Sequence, residues 1–196
     1  MKKISRNEIL PYKEYVQVRE RFLQRVIQEK KLRRTSLNDR MSGVFETRLS
    51  VWFQIQEMIR AEEITQEEYI EEMIEIYNDL IPEDHEISMT LFIEIPDREG
   101  LRTFNKTIVG IENHVELRFN DEIVTSYENG EEEEEDETYT QSVHYLHFPF
   151  TKEQIASFKG WEGEVKIHIN HPSFQSEQVL SPELVASLKK DLTLHE

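Results

Sequence analysis

The sequence predicts an α+β fold, with N-terminal helices packed on a mainly antiparallel sheet of about five strands and short helices in the C-terminal half. Three observations carry this expectation. Apolar residues recur at helical spacing up to about residue 82. From residue 87 onward, short apolar or alternating runs take over. An Asn-Asp pair at 120–121 joins two of those runs, which signals a tight hairpin and hence antiparallel pairing. With 196 residues, the chain reads as a single domain over 1–196, helical over about 1–82 and sheet-forming over about 87–196.

Four N-cap signals punctuate the helices. Ser5 with Glu8, Thr65 with Glu68, and Thr151 with Gln154 fit the reciprocal capping box, and Ser181 is followed by Pro182. Pro11 limits Asn7 to Leu10 to a turn before a long helix at 12–31. A helix at 49–63 carries Leu49, Val51, Trp52, Phe53, Ile55, Met58, Ile59 and Ala61 over most of its circumference, so it should be central and largely buried. Gln56 and Glu62 fall inside its apolar arc, and Arg60 lies between Leu49 and Phe53. The helix at 66–81 gathers Tyr69, Ile70, Met73, Ile74, Ile76, Tyr77, Leu80 and Ile81 into one arc, with Glu67, Glu68, Glu71, Glu72, Glu75 and Asp79 opposite. Its like-charge pairs at i,i+4 are each unfavourable, so the basic N-terminal helix is expected to compensate them. Strands are expected at 87–95, 114–119, 122–127, 138–148 and 164–169, and further helices at 152–158 and 182–191.

Charge is distributed unevenly. Residues 1–40 hold twelve Lys/Arg against five Asp/Glu, a balance of +7, whereas the remainder stands at −24. A phosphate backbone would be repelled by that remainder, so nucleic acid is not an expected partner. The run ENGEEEEEDE at 128–137 has eight acidic residues in ten and is expected to be a solvated, mobile loop without spaced calcium ligands. There is no Cys, which removes disulfides, thiolate metal sites and a Cys nucleophile. No apolar run reaches the roughly 18 residues of a spanning helix, and MKKISRNEIL lacks a signal-peptide core. Membrane association is therefore not expected, and the cytoplasm is the expected compartment.

Catalytic patterns are missing too. There is no G-x-S-x-G elbow, no phosphate-cradling Gly-rich loop and no Glu-x-x-His helix of the di-iron type. An enzymatic role is accordingly not the leading expectation. Two candidate constellations remain. A partly buried ligand pocket could be built from Arg48, Glu57, Arg60 and Glu62, because a buried Arg suits bidentate recognition of a carboxylate or phosphate. A metal site would draw on His114, His144 and His171 from neighbouring strands. Within a strand, positions i and i+3 face opposite ways, so His144 cannot share an ion with His147, nor His168 with His171.

Eight segments, in their order and spacing, resemble a known bacterial family. They are ILPYKEY (9–15), KKLRR (30–34), FETR (45–48), FQIQEMIRAEEI (53–64), YNDLIP (77–82), ISMTLFIEI (87–95), SVHYLHFPF (142–150) and HPSF (171–174). The family is the domain of unknown function 3501, and the resemblance spans nearly the whole chain. The acidic run at 128–137 departs from it, and Met89 stands where a small residue is expected. The polar motif residues that carry over are Glu46, Arg48, Gln56, Glu57, Arg60, Glu62, Tyr77, Asn78 and His171. The family has no assigned activity. What the resemblance implies is context, since relatives are encoded beside rubrerythrin-like proteins and iron–sulfur oxidoreductases of the heterodisulfide-reductase type. The expected function is thus a non-enzymatic cytoplasmic accessory or interaction protein linked to redox or peroxide metabolism. The alternative is a small-anion or metal-binding protein using the Arg/Glu pocket.

Overall fold

The computed structural model describes residues 1–130 and 138–193. The acidic run 131–137 therefore lies outside the described residues. Ser5 and Glu8 form their capping box around a single 3-10 turn, Arg6–Glu8, and Pro11 then opens helix α1, Tyr12–Arg33. Strands β1, Arg34–Ser36, and β2, Met41–Phe45, follow before helix α2, Arg48–Ala61, which Thr47 caps in exchange with Ser50. Helix α3, Glu67–Asn78, starts one residue later than the Thr65–Glu68 box would have it. Its N-cap is Gln66 with no side-chain cap, and Glu67 pairs with Arg6 instead.

The expected antiparallel sheet is divided in two. Strand β3 is Glu86–Ile93; helix α4, Arg98–Thr107, leads to β4, Val115–Phe119, β5, Glu122–Thr125, and the short β6, Tyr127–Glu128. Then come β7, Val143–Pro149, helix α5, Lys152–Gly160, β8, Lys166–His171, β9, Phe174–Val179, and helix α6, Pro182–Asp191. The first sheet has the order β1-β2-β3-β7-β6 and the second β5-β4-β8-β9, with every pair antiparallel. The hairpin between β4 and β5 turns on Asn120 and Asp121, both at positive φ (45° and 60°), as a tight Asn-Asp turn requires. Sequence patterning misses β1, β2 and β9 because RTS, MSGVF and FQSEQV lack alternating apolar residues. It also misses α4, whose only local signal is Asp97. That carboxylate caps the helix by accepting the Gly100 N–H at 2.6 Å.

Register assigns the two faces of the first sheet opposite tasks. Met41, Gly43 and Phe45 on β2 share a face with Ile87, Met89, Leu91 and Ile93 on β3 and with Leu146 and Phe148 on β7. This face packs on Val115, Leu117, Phe119, Ile167 and Ile169 of the second sheet, and Phe104, Phe158, Leu184 and Leu188 fill in from α4, α5 and α6. Gly43 makes room for Met89, the residue that replaces the small one expected there, since a Cβ at position 43 would force the flexible Met89 thioether to shift. The other face presents Ser42, Glu86, Ser88, Thr90, Tyr145 and His147. Against it lies a separate apolar core made by the helices, with Tyr15, Val26, Val51, Trp52, Ile55, Ile59, Ile70 and Ile74. A polar seam thus separates two apolar cores.

The charge blocks meet, but not where expected: Arg6, ahead of α1, pairs with Glu67 of α3, while Arg19 and Arg33 of α1 pair with Glu57 and Asp191. No ion pair joins α1 to α3 among the described residues. Helix α2 packs against both. Glu68, Glu71, Glu72 and Glu75 are all exposed, so solvation rather than pairing relieves their repulsion. No described helix is long and apolar enough to cross a membrane.

Candidate functional site

The four residues of the expected Arg/Glu pocket do not meet. Arg48 and Glu57 are nine residues apart on α2, about two and a half turns, and so project from opposite sides of the helix. Arg48 reaches the N-terminal segment, donating to the Lys2 carbonyl at 2.7 Å and to Glu8 Oε1 at 2.6 Å. Glu62 is exposed at the C-cap of α2. Only Glu57 and Arg60 stay together, at 3.2 Å. Glu57 also accepts from Tyr15 Oη at 2.7 Å and from both Arg19 Nε and Nη2, at 2.8 and 2.7 Å. The carboxylate is saturated by the helices it joins. Bidentate hydrogen bonding from Arg19 holds the Glu57 pKa down at about 2, aided by Arg60 and Tyr15. Burial, then the adjacent carboxylate, pushes the Tyr15 hydroxyl up.

This pairing has an expected pH signature. A folded-state pKa below the unfolded value contributes stability above the unfolded pKa, and that contribution disappears as pH falls through the folded one. The stabilisation from Glu57 should therefore decline between about pH 4.5 and pH 2. Urea midpoints measured across that range should fall more steeply for wild type than for Glu57→Gln. Parallel slopes would disprove the assignment.

Of the three metal-candidate histidines, two adjoin and the third lies on the other sheet. His114 and His171 adjoin edge to face, with ring centroids 5.0 Å apart, but three of their four ring nitrogens have other partners. His171 Nε2 bonds the Val109 carbonyl at 2.9 Å and its Nδ1 accepts the Ser173 N–H at 3.1 Å, while His114 Nδ1 bonds the Asn170 carbonyl at 3.0 Å. His144 belongs to the other sheet, held by Glu128 Oε2 at 2.8 Å and Thr140 Oγ1 at 3.0 Å. Glu128, expected in a solvated loop, is thus part of β6. Among the described residues no group of three or more His, Asp or Glu is arranged to hold a metal ion. The reason is register, because pairing places His144 on the first sheet and His171, with His114 beside it, on the second.

The polar seam holds groups that patterning did not select. Glu46 is buried; its Oε1 accepts from Thr90 Oγ1 at 2.7 Å, and its Oε2 from Ser50 and from Gln54 Nε2 at 3.3 Å. Arg33, at the end of α1, is also buried. It donates to the carbonyls of Phe45 (2.8 Å) and Glu46 (3.2 Å), to Ser187 Oγ (2.9 Å), and to Asp191 Oδ2 on α6 (2.5 Å). Burial pushes the Asp191 carboxyl up despite that guanidinium. Further along the seam, His147 expected opposite to His144 does face the helices. Its Nδ1 lies 3.2 Å from Glu86 Oε1, and the Tyr127 ring stacks on it at 5.4 Å. Burial opposes ionisation of Glu86, but His147 and the Glu83 amide outweigh it and hold the pKa below the usual carboxylate value. Arg33 and Asp191, or Glu86 and His147, are distant in sequence and share no local signal. A surface hollow of about 590 Å³ on the second sheet offers little, since its Arg118 and Lys166 already pair with Glu116 and Glu177.

The molecule is therefore a two-sheet α+β protein whose helical layer is joined to the sheet through buried polar and ionic contacts. The chain belongs to the family described as Protein of unknown function (DUF3501), whose model matches residues 3–192. It is also similar, with a TM-score of 0.89 and 29% identity, to a crystal structure described as a novel protein of unknown function from Burkholderia pseudomallei. That similarity covers 98% of this chain and 100% of the other. Comparison with curated proteins finds no match.

Proposed function

We propose that the protein is a non-enzymatic interaction module, docking onto an acidic, apolar-centred surface of a redox partner through helix α1. One observation carries this reading. Tyr12, Val16 and Ile27 are 59%, 47% and 45% exposed, and with Leu23 they share an arc of about 60° on α1. Lys13, Arg21, Arg25, Lys30 and Lys31 lie on the same helix and pair with no carboxylate among the described residues. Exposed apolar side chains with Lys30 in the same arc and Lys13 and Lys31 beside it, on an otherwise acidic protein, suit a partner surface of opposite charge. The family context supplies the partner classes, a rubrerythrin-like protein or an iron–sulfur oxidoreductase in the cytoplasm. The small-anion alternative is weaker, because Arg48 and Arg60 already have carboxylate partners.

The test is capture of a purified rubrerythrin-like protein or iron–sulfur oxidoreductase by the immobilised full chain. Binding should weaken steeply with added salt, since exposed charges are screened within about 8–10 Å. Ile27→Glu should weaken it about tenfold or more, as expected for a central apolar contact. Binding to neither partner at low salt, or equal binding by Ile27→Glu, would refute the docking reading.

A further inference from the structure

Helix α3 carries the kind of surface that the exposed face of α1 requires. Tyr69 and Ile76 are 55% and 54% exposed. With the half-buried Met73 they share an arc of about 60°. Glu72 and Glu68 flank that arc on one side, both exposed and in no ion pair among the described residues. The result is an acidic face with an apolar centre. Exposed apolar side chains gathered in this way mark interaction surfaces.

Helix α1 is its complement. Tyr12, Val16, Leu23 and Ile27 form an apolar stripe that includes Lys30, and Lys13 and Lys31 lie beside it. Glu20, held by Gln24 Nε2 at 2.8 Å, is the one carboxylate on that side. The two faces do not meet within one chain. Both helices pack on α2, and no ion pair joins them among the described residues. We infer that they meet between copies of this chain, with α1 of one molecule seated on α3 of a second. A two-fold axis repeats the contact with the helices exchanged, which closes the assembly as a dimer. One helix pair alone falls short of the roughly 1,600 Å² of a standard interface, so the repetition matters. It also sets cations against carboxylates twice, at short range, against the general repulsion of chains with a formal net charge of −17. A second copy is favoured over a foreign basic helix because every molecule carries both faces. The inference rests on the α1 face proposed above for partner docking, so dimer and partner compete for it.

The experiment is sedimentation equilibrium of the full chain at low salt over a range of concentrations. Two charge-reversed variants are compared, Lys30→Glu with Lys31→Glu on α1 and Glu68→Lys with Glu72→Lys on α3. Wild type should dimerise, and added salt should dissociate the dimer, since exposed charge contacts are screened within about 8–10 Å. Each variant alone should associate about tenfold more weakly or worse, because like charges then face each other. An equimolar mixture of the two should dimerise again, because opposite charges are restored at both contacts, and that recovery also shows that both are folded. Ile76→Lys separates the dimer from the partner reading. It should weaken the dimer about tenfold or more yet capture the redox partner as well as wild type does. A wild-type chain that stays monomeric at low salt, a dimer that the variants retain, or a mixture no better than its components would overturn the dimer. Absence of partner capture with the dimer present overturns only the partner reading.

Discussion

Replacing Arg33 by Met is expected to lower the unfolding free energy by about 3–5 kcal/mol, the range for removing one partner of a buried ion pair. The guanidinium and Asp191 are only 3% and 10% exposed, so neither water nor salt replaces the lost contact. Met also leaves the Phe45 and Glu46 carbonyls without their donor. Urea unfolding at neutral pH measures the loss. The pH dependence adds a second check, opposite in sign to that of Glu57. A carboxyl whose folded pKa is raised favours the native state when it takes up a proton, so stability is gained as pH falls through the folded value. Without Arg33 this gain should grow, and the deficit of Arg33→Met should shrink on mild acidification. Replacing both residues by apolar ones should recover much of the loss, because the pair no longer has to be desolvated. A single variant within about 1 kcal/mol of wild type would rule the pair out as a tie between α1 and α6.

Glu46→Ala is the second large effect, expected at about 2–4 kcal/mol from a buried cavity plus unpaired polar groups. The carboxylate collects Thr90 from β3 with Ser50 and Gln54 from α2, so it fixes how the central helix sits on the polar face of the first sheet. Glu46→Gln keeps one acceptor oxygen and should cost less, about 1 kcal/mol. Denaturant midpoints of the two variants separate these cases. If Ala and Gln destabilise equally, the loss comes from the negative charge rather than from the bonded network.

The seam explains why the polar motif residues divide into several local ties. Glu46 secures α2 to β3, Glu57 joins α2 to α1, and Asn78 exchanges two 2.8 Å bonds with the Ile4 backbone. The Glu46 network satisfies groups that would otherwise be buried without partners, and the other two tie elements together at part-buried positions. What remains uncommitted is peripheral: Lys13, Arg21, Arg25, Lys30 and Lys31 of α1, which pair with no carboxylate among the described residues.

The sequence by itself determined the features that are encoded within a few residues. Ser181-Pro182 set the start of α6, Thr151 with Gln154 that of α5, and Asn120-Asp121 the β4–β5 hairpin, because caps and turns are satisfied by near neighbours. The opposed directions of His144 and His147 follow from strand alternation alone. The family, too, was legible from ordered short motifs. Only the tertiary structure decided the division into two sheets and the meetings of Arg33 with Asp191 and of His147 with Glu86 and Asp79. Such contacts join residues far apart in the chain, and their geometry is fixed by strand register and helix rotation. Neither leaves a trace in local spacing, because a polar residue on a strand looks the same whether the face it occupies meets water or a second layer.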